Sequence, residues 1–170
     1  DEVLTHDGTD LSWAAAGGGA NSPMFSARST GMFLISTNVF TKVNFGEQLW
    51  SVGGTLDTIN YRWTPGTAGK YLLMAQVGLY SVGVDDMYVE IQFWKNGAFS
   101  ASPLINDLGA TRFVENERAS DVTQSFFNST IVVDDGDDYW ECYVKHGYPS
   151  SVNLWNNGHY TNFCGFKLIE

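Results

Sequence analysis

The chain has 170 residues and carries 9 basic against 19 acidic side chains, a formal charge of −10. That charge repels phosphate backbones and anionic membrane surfaces, so nucleic acid is not an expected partner. Hydrophobic residues make up 44%, aromatics 15% and charged residues 16%, a globular composition rather than a disordered one.

One domain of this length buries about 70% of the surface its unfolded chain exposes, enough for a full hydrophobic core. No apolar run approaches the roughly 20 residues of a spanning helix, so membrane insertion is not expected and the mature chain should be soluble. The N-terminus lacks the basic-then-apolar layout of a signal peptide. A start at Asp1 instead of Met is expected either of a processed product or of a fragment of a longer protein.

In chain order, residues 1–22 read as a Gly/Ala-rich linker or tether. They hold Asp7-Gly8-Thr9-Asp10, whose Asp7-Gly8 pair suits one short hairpin, and the run Ala14-Ala15-Ala16-Gly17-Gly18-Gly19. From residue 23 to 170 the texture changes to short aromatic or β-branched runs separated by Gly, Asn, Asp and Pro. The strands expected are 24–28, 32–35, 39–44, 59–64, 70–80, 86–95, 123–133, 138–145 and 161–169, and no long amphipathic helix is expected. Many short strands with turn signals between them indicate an antiparallel sandwich or jelly roll. Two turns are legible: Lys95-Asn96-Gly97, and the acidic loop Asp134-Asp135-Gly136-Asp137-Asp138.

The strand 70–80 bears on assembly. Its parity set Tyr71, Leu73, Ala75, Val77 and Leu79 fills a core, which leaves Leu72, Met74 and Tyr80 on the other face. A two-layer sandwich ordinarily has polar residues there. Another copy of the chain is the economical cover, and these three residues are the expected homotrimer interface.

The only two cysteines, Cys142 and Cys164, do not make a disulfide framework. Strand parity groups Cys142 with Trp140 and Val144, and Cys164 with Phe166 and Leu168. Both read as small core residues with free thiols, a bridge being the alternative, and this leans towards folding in a reducing cytosol.

Catalytic signals are sparse. His6, His146 and His159 are far apart and expected on the surface, and neither a His-x-x-His nor a Cys-x-x-Cys spacing occurs. There is no Gly-x-Ser-x-Gly elbow and no phosphate loop. Asp134, Asp135, Asp137 and Asp138 are weak metal candidates, lacking the spaced ligands and closing Glu of an EF-hand, and a solvated turn is the simpler reading. Asp85-Asp86, or Glu115 with Glu117, are paired carboxylates of the kind a glycosidase uses, but sequence does not fix their separation and solvated loop acids are the simpler reading. No cofactor is expected.

The better recognition candidate is the stretch 148–160, with Tyr148, Asn153, Trp155, Asn156, Asn157, His159 and Tyr160. Rings flanked by amides suit a sugar or a polar receptor surface. Trp155 packing into its own domain or a neighbouring subunit is the alternative. Trp94 and Tyr88 share the outer face of 86–95 with the same ambiguity.

Phe45, Ser51, Leu56, Trp63, Gly69, Tyr71, Leu73 and Ala75 keep every spacing of the complement C-one-q globular-domain signature. Phe45, Leu56, Gly69 and Tyr71 match outright. Ser51 stands for Asn or Asp, Trp63 for Phe, and Leu73 and Ala75 for aromatics. Lys95-Asn96-Gly97, Gly136-Asp137 and the closing Phe163-Cys164-Gly165-Phe166 also resemble that family. The resemblance implies an all-β, ten-stranded antiparallel jelly-roll sandwich of the complement C-one-q and tumour necrosis factor type, trimeric about a three-fold axis.

The segment Leu4 to Trp13, followed by Ala and Gly, resembles linkers of bacteriophage tail-fibre and other virion structural proteins. The expected function is therefore a non-enzymatic module on the virion surface, assembled in the host cytoplasm. It would bind a host glycan or protein receptor from a fibre, or decorate the capsid, with the N-terminal segment held by other virion proteins. A secreted complement C-one-q-like lectin or immune-recognition protein is the alternative, and a polysaccharide-degrading enzyme is a third class.

Overall fold

Apolar side chains that alternate along short runs, broken by Gly, Asn and Asp, can bury one face only by stacking two pleated sheets. The computed structural model describes residues 2–6, 11–15, 21–81, 87–99, 113–115, 122–155 and 160–168. Within the N-terminal segment, β1 (Glu2–His6) and β2 (Leu11–Ala15) pair antiparallel as a hairpin, Glu2 opposite Ala15.

The rest forms two antiparallel sheets. One is built on β9 (Gly69–Ser81), which pairs along its whole length with β13 (Val122–Asp134). On its other side β9 meets β15 (Val152–Leu154) at Leu79 and Tyr80, and β16 (Asn162–Lys167) from Tyr71 to Gln76. Beyond β16 lie β3 (Met24–Arg28) and β6 (Glu47–Val52), and beyond β15 lies β4 (Phe33–Ile35). The second sheet centres on β10 (Met87–Lys95) and β14 (Trp140–His146). Around them are β5 (Thr41–Lys42), β7 (Thr55–Asp57), β8 (Arg62–Thr64), β11 (Ala98–Phe99) and β12 (Phe113–Glu115).

This is the expected jelly-roll sandwich, divided into fourteen described segments, β3 to β16, rather than ten strands. The extra segments are short. Segments 47–52, 55–57, 98–99, 113–115 and 152–154 were not among the expected strands, while 39–44 and 59–64 shrink to β5 and β8. Val152–Leu154 lies in a Ser/Asn/Pro-rich stretch that reads as loop. Yet Val152 and Leu154 are 5% and 0% exposed and face inward, so burial outweighs the loop-like composition.

The core parity of β9 holds: Tyr71, Leu73, Ala75, Val77 and Leu79 are all fully buried. Phe25 stacks on Trp63 at 4.5 Å and meets the edge of Phe163 at 4.7 Å, and Trp63 packs edge-on to Tyr71 at 5.3 Å. Gly165 faces this cluster. A Cβ there would lie 2.8 Å from Leu73 and 2.9 Å from Phe25, so the close packing requires its absence. The β10–β11 hairpin turns through Asn96 and Gly97, both at positive φ (53° and 76°), the geometry an Asn-Gly pair tolerates.

Candidate subunit interface and recognition surface

The outward side of the β9 sheet follows from register. Ile131 lies opposite Leu72, Leu72 opposite Phe166, Phe166 opposite Met24 and Met24 opposite Val52. Five apolar side chains thus form one row across five strands, about 19 Å wide at the usual strand spacing. Its ends are open to solvent, Ile131 at 40% and Val52 at 48%. Next to it runs Ser129, Met74, Cys164, Ser26 and Trp50. Phe127, Val133, Leu49 and Trp50 enlarge the exposed apolar area at the two edges. Contiguous exposed apolar patches of this kind are characteristic of contact surfaces on globular proteins.

A polar row bounds it: Gln76, Asn162, Arg28 and Glu47 follow Phe127 across the sheet. Asn162 donates to Gln76 at 3.3 Å, and Arg28 grips Glu47 through two bonds of 2.8 and 2.6 Å. The hydrogen bond from Arg28 holds the Glu47 carboxyl below its usual range.

Leu72, Met74 and Tyr80, the expected interface residues, all lie half-buried on this outer face. Cys164 does too, in place of the core position expected for it, because Phe163 and Gly165 take the inward positions of β16. Cys142 is in the core, and both thiols are free. Burial pushes both thiols above their ordinary range.

The expected recognition residues divide. Tyr148 is 2% exposed and belongs to the core rather than to the surface. Asn153 sits half-buried on β15 between Leu34 and Tyr80. Trp155 stacks on Tyr80 at 5.4 Å with planes 22° apart. Its indole nitrogen is buried without a hydrogen-bond partner among the described residues. Tyr160 is 38% exposed, against Gly78. Asn156, Asn157 and His159 lie outside the described residues. Sequence reading missed Leu34, 60% exposed opposite Asn153, because β4 is three residues long and its parity was undetermined; Met32, just before β4, is 53% exposed.

On the other sheet Trp94 and Tyr88 do face outward. Trp94 stacks on Tyr143 at 4.0 Å and donates to Gln92, while Lys145 pairs with Glu90 at 2.6 Å. This face is covered by its own side chains: Gln92 and Glu141 are only 6% and 3% exposed.

In the acidic loop, Asp134, Asp135 and Asp138 each bring one carboxylate oxygen within 4.8 Å of the others, and Asp137 stays outside the group. The acids have structural partners. Asp134 accepts from Gly136 N at 2.7 Å and from the Trp140 indole at 2.6 Å. Asp138 pairs with Lys95, which holds its carboxyl low. The cluster therefore ties the 134–138 loop to the β10–β11 turn. Asp85, Asp86 and Glu117 lie outside the described residues. His146, expected on the surface, is fully buried, since the inward set of β14 is Trp140, Cys142, Val144 and His146.

No protein-family model matches the chain, and no curated protein matches its sequence. Its fold does match solved structures. Eiger TNF from S. frugiperda superposes with a TM-score of 0.57 at 13% identity, over 86% of this chain and 92% of that one. Murine APRIL at pH 5.0 gives 0.57 at 16% identity, over 85% and 98%. Murine APRIL at pH 8.5 gives 0.56 at 15% identity over the same shares. The chain is therefore a tumour necrosis factor-like jelly roll, and at these identities the likeness is one of fold.

Proposed function

We propose that this chain is a non-enzymatic, homotrimeric recognition module carried on the surface of a bacteriophage particle. The apolar row from Ile131 through Leu72 to Val52 carries the trimeric part. Exposed apolar side chains at both edges of one sheet suit a cyclic association in which one edge of each copy meets a different edge of the next. Three copies close such a ring in the manner implied by the C-one-q-type signature from Phe45 to Ala75.

Recognition falls to the end of the sheet where Leu34, Asn153, Tyr80 and Trp155 gather, with Tyr160 beside them, a mixture of rings and amide suited to a sugar or a protein receptor. The virion location rests on the N-terminal segment and on the free thiols, which fit assembly in a reducing cytosol. A non-catalytic role fits the positions of the titratable groups: Asp134 and His146 bind backbone or indole groups, and Cys142 is buried.

The test is to locate the chain in purified particles by mass spectrometry and antibody labelling, then to block adsorption with the isolated protein. Labelled particles and competition by the wild-type protein support the reading. Secretion without any particle moves the module to extracellular recognition, and shortened host polysaccharide after incubation overturns the non-enzymatic role.

A further inference from the structure

We infer that His146 is an acid-sensitive clasp, whose protonation releases β4 and the segment leading into β15 and so opens the end of the sandwich that carries Tyr80 and Trp155.

The geometry fixes the neutral ring. The backbone N–H of Tyr148 donates to His146 Nδ1 at 3.2 Å, so this nitrogen is an acceptor and carries no proton. The ring proton is therefore on Nε2, which donates to the carbonyl of Ile35 at 3.0 Å. Both nitrogens are committed to backbone groups, one on β4 and one on the segment between β14 and β15. His146 belongs to the β14 sheet and both partners lead into the β9 sheet, so this one imidazole cross-links the two layers. Its own carbonyl accepts from Asn38 N at 2.9 Å, and the next residue, Gly147, donates to the Tyr88 carbonyl at 2.9 Å.

A second proton can enter only at Nδ1, where it would point at the Tyr148 N–H, donor against donor. The resulting cation would be fully buried. Among the described residues, what faces the ring offers it no counter-charge. Ile35 lies on β4, Val89 stands opposite on β10, and the Tyr148 ring is 5.7 Å away. The nearest charges along the β10–β14 ladder, Glu90 and Lys145, pair with each other on the opposite, solvent side. Burial holds the imidazole below its ordinary value of 6.5, with the Ile35 carbonyl opposing. With the folded value depressed, the closed state is favoured fully above about pH 6.5 and loses ground as pH falls towards the folded value. Over that window the opening constant rises by up to about tenfold per pH unit, as expected for one proton.

Tyr148 is a core residue and precedes Val152–Leu154, so losing its N–H bond loosens the strand that positions Asn153 and Trp155. This regulation lies beyond the recognition role and is tested without any ligand.

The experiment is hydrogen–deuterium exchange of the whole chain at neutral pH and near pH 5, with labelling times scaled for intrinsic rates. Segments 33–38 and 146–155 should lose protection as pH falls below about 6.5, by at most about tenfold per pH unit, while 71–77 in the centre of β9 stays protected. His146→Gln should abolish the acid step. Should that variant fail to fold, a His6→Ala/His159→Ala double variant, in which His146 is the one remaining histidine, must keep the step. Unchanged protection of the two segments near pH 5, uniform loss across the chain, or disappearance of the step in the double variant would each overturn the clasp.

Discussion

Tyr80 and Trp155 stack with ring centroids 5.4 Å apart and planes 22° from parallel. The pair joins the last outward position of β9 to the residue just after β15, so a residue expected at the subunit interface and one expected at the receptor surface form a single structural unit. An aromatic pair of this kind contributes about 0.5–1.5 kcal/mol beyond its buried area. Trp155→Ala should therefore lower the denaturation midpoint by an amount corresponding to about 1–3 kcal/mol. Trp155→Phe should keep most of that stability, because the indole nitrogen has no partner among the described residues. Chemical denaturation of the two variants separates them, and any loss of binding must be read against this stability change.

Asp134 ends β13 and serves two buried donors, Gly136 N and the Trp140 indole. Asp134→Ala strands both and should cost about 2–4 kcal/mol. Asp134→Asn keeps one acceptor but sets its NH2 against the other buried donor, and should cost somewhat less than the Ala variant, about 1–3 kcal/mol. If the two variants lose equal stability by urea unfolding, charge and not hydrogen bonding is the reason for this aspartate.

Gly165 admits no Cβ without displacing Leu73, Phe25 or the Leu72 carbonyl, 3.0 Å away. Gly165→Ala should destabilise by about 1–3 kcal/mol, the range of overpacked cores. A thermal midpoint equal to wild type would mean that β16 shifts at no cost.

The thiols report on assembly. Cys142 is buried within one chain, whereas Cys164 stands in the row beside Leu72 on the outward face. In the native protein both should react slowly with an alkylating reagent. In a Leu72→Lys variant Cys164 alone should become fast. Equal rates for Cys164 in wild type and variant would place it outside any subunit contact.

How much was legible depended on strand length. In β9 thirteen residues alternate, so parity assigned Tyr71 and Leu73 to the core and Leu72, Met74 and Tyr80 to the outer face. The signature positions Phe45, Trp63, Tyr71, Leu73 and Ala75 are all fully buried, and Leu56 packs against them, which is why their spacing carried fold information. Parity failed for Cys164, where Gly165 occupies the core position and its missing side chain hides the alternation. Tyr148 and Val152 carried no strand signal, because their neighbours Pro149, Ser150 and Ser151 read as an exposed loop. His146 carried the parity of β14, yet a histidine on an apolar face gives no sign of whether its nitrogens find backbone partners. The row from Ile131 to Val52 was beyond the sequence, because it depends on register between residues as distant as Met24 and Phe166 and on the bulge at Ser26 and Ala27.

The central claim is that other copies of the chain cover this row. Light scattering coupled to size exclusion at micromolar protein measures it directly. Wild type should have three times the chain mass, and Leu72→Lys with Ile131→Asp should fall to one chain mass while keeping its β-sheet circular dichroism. A wild-type protein that runs at a single chain mass under these conditions would contradict the account.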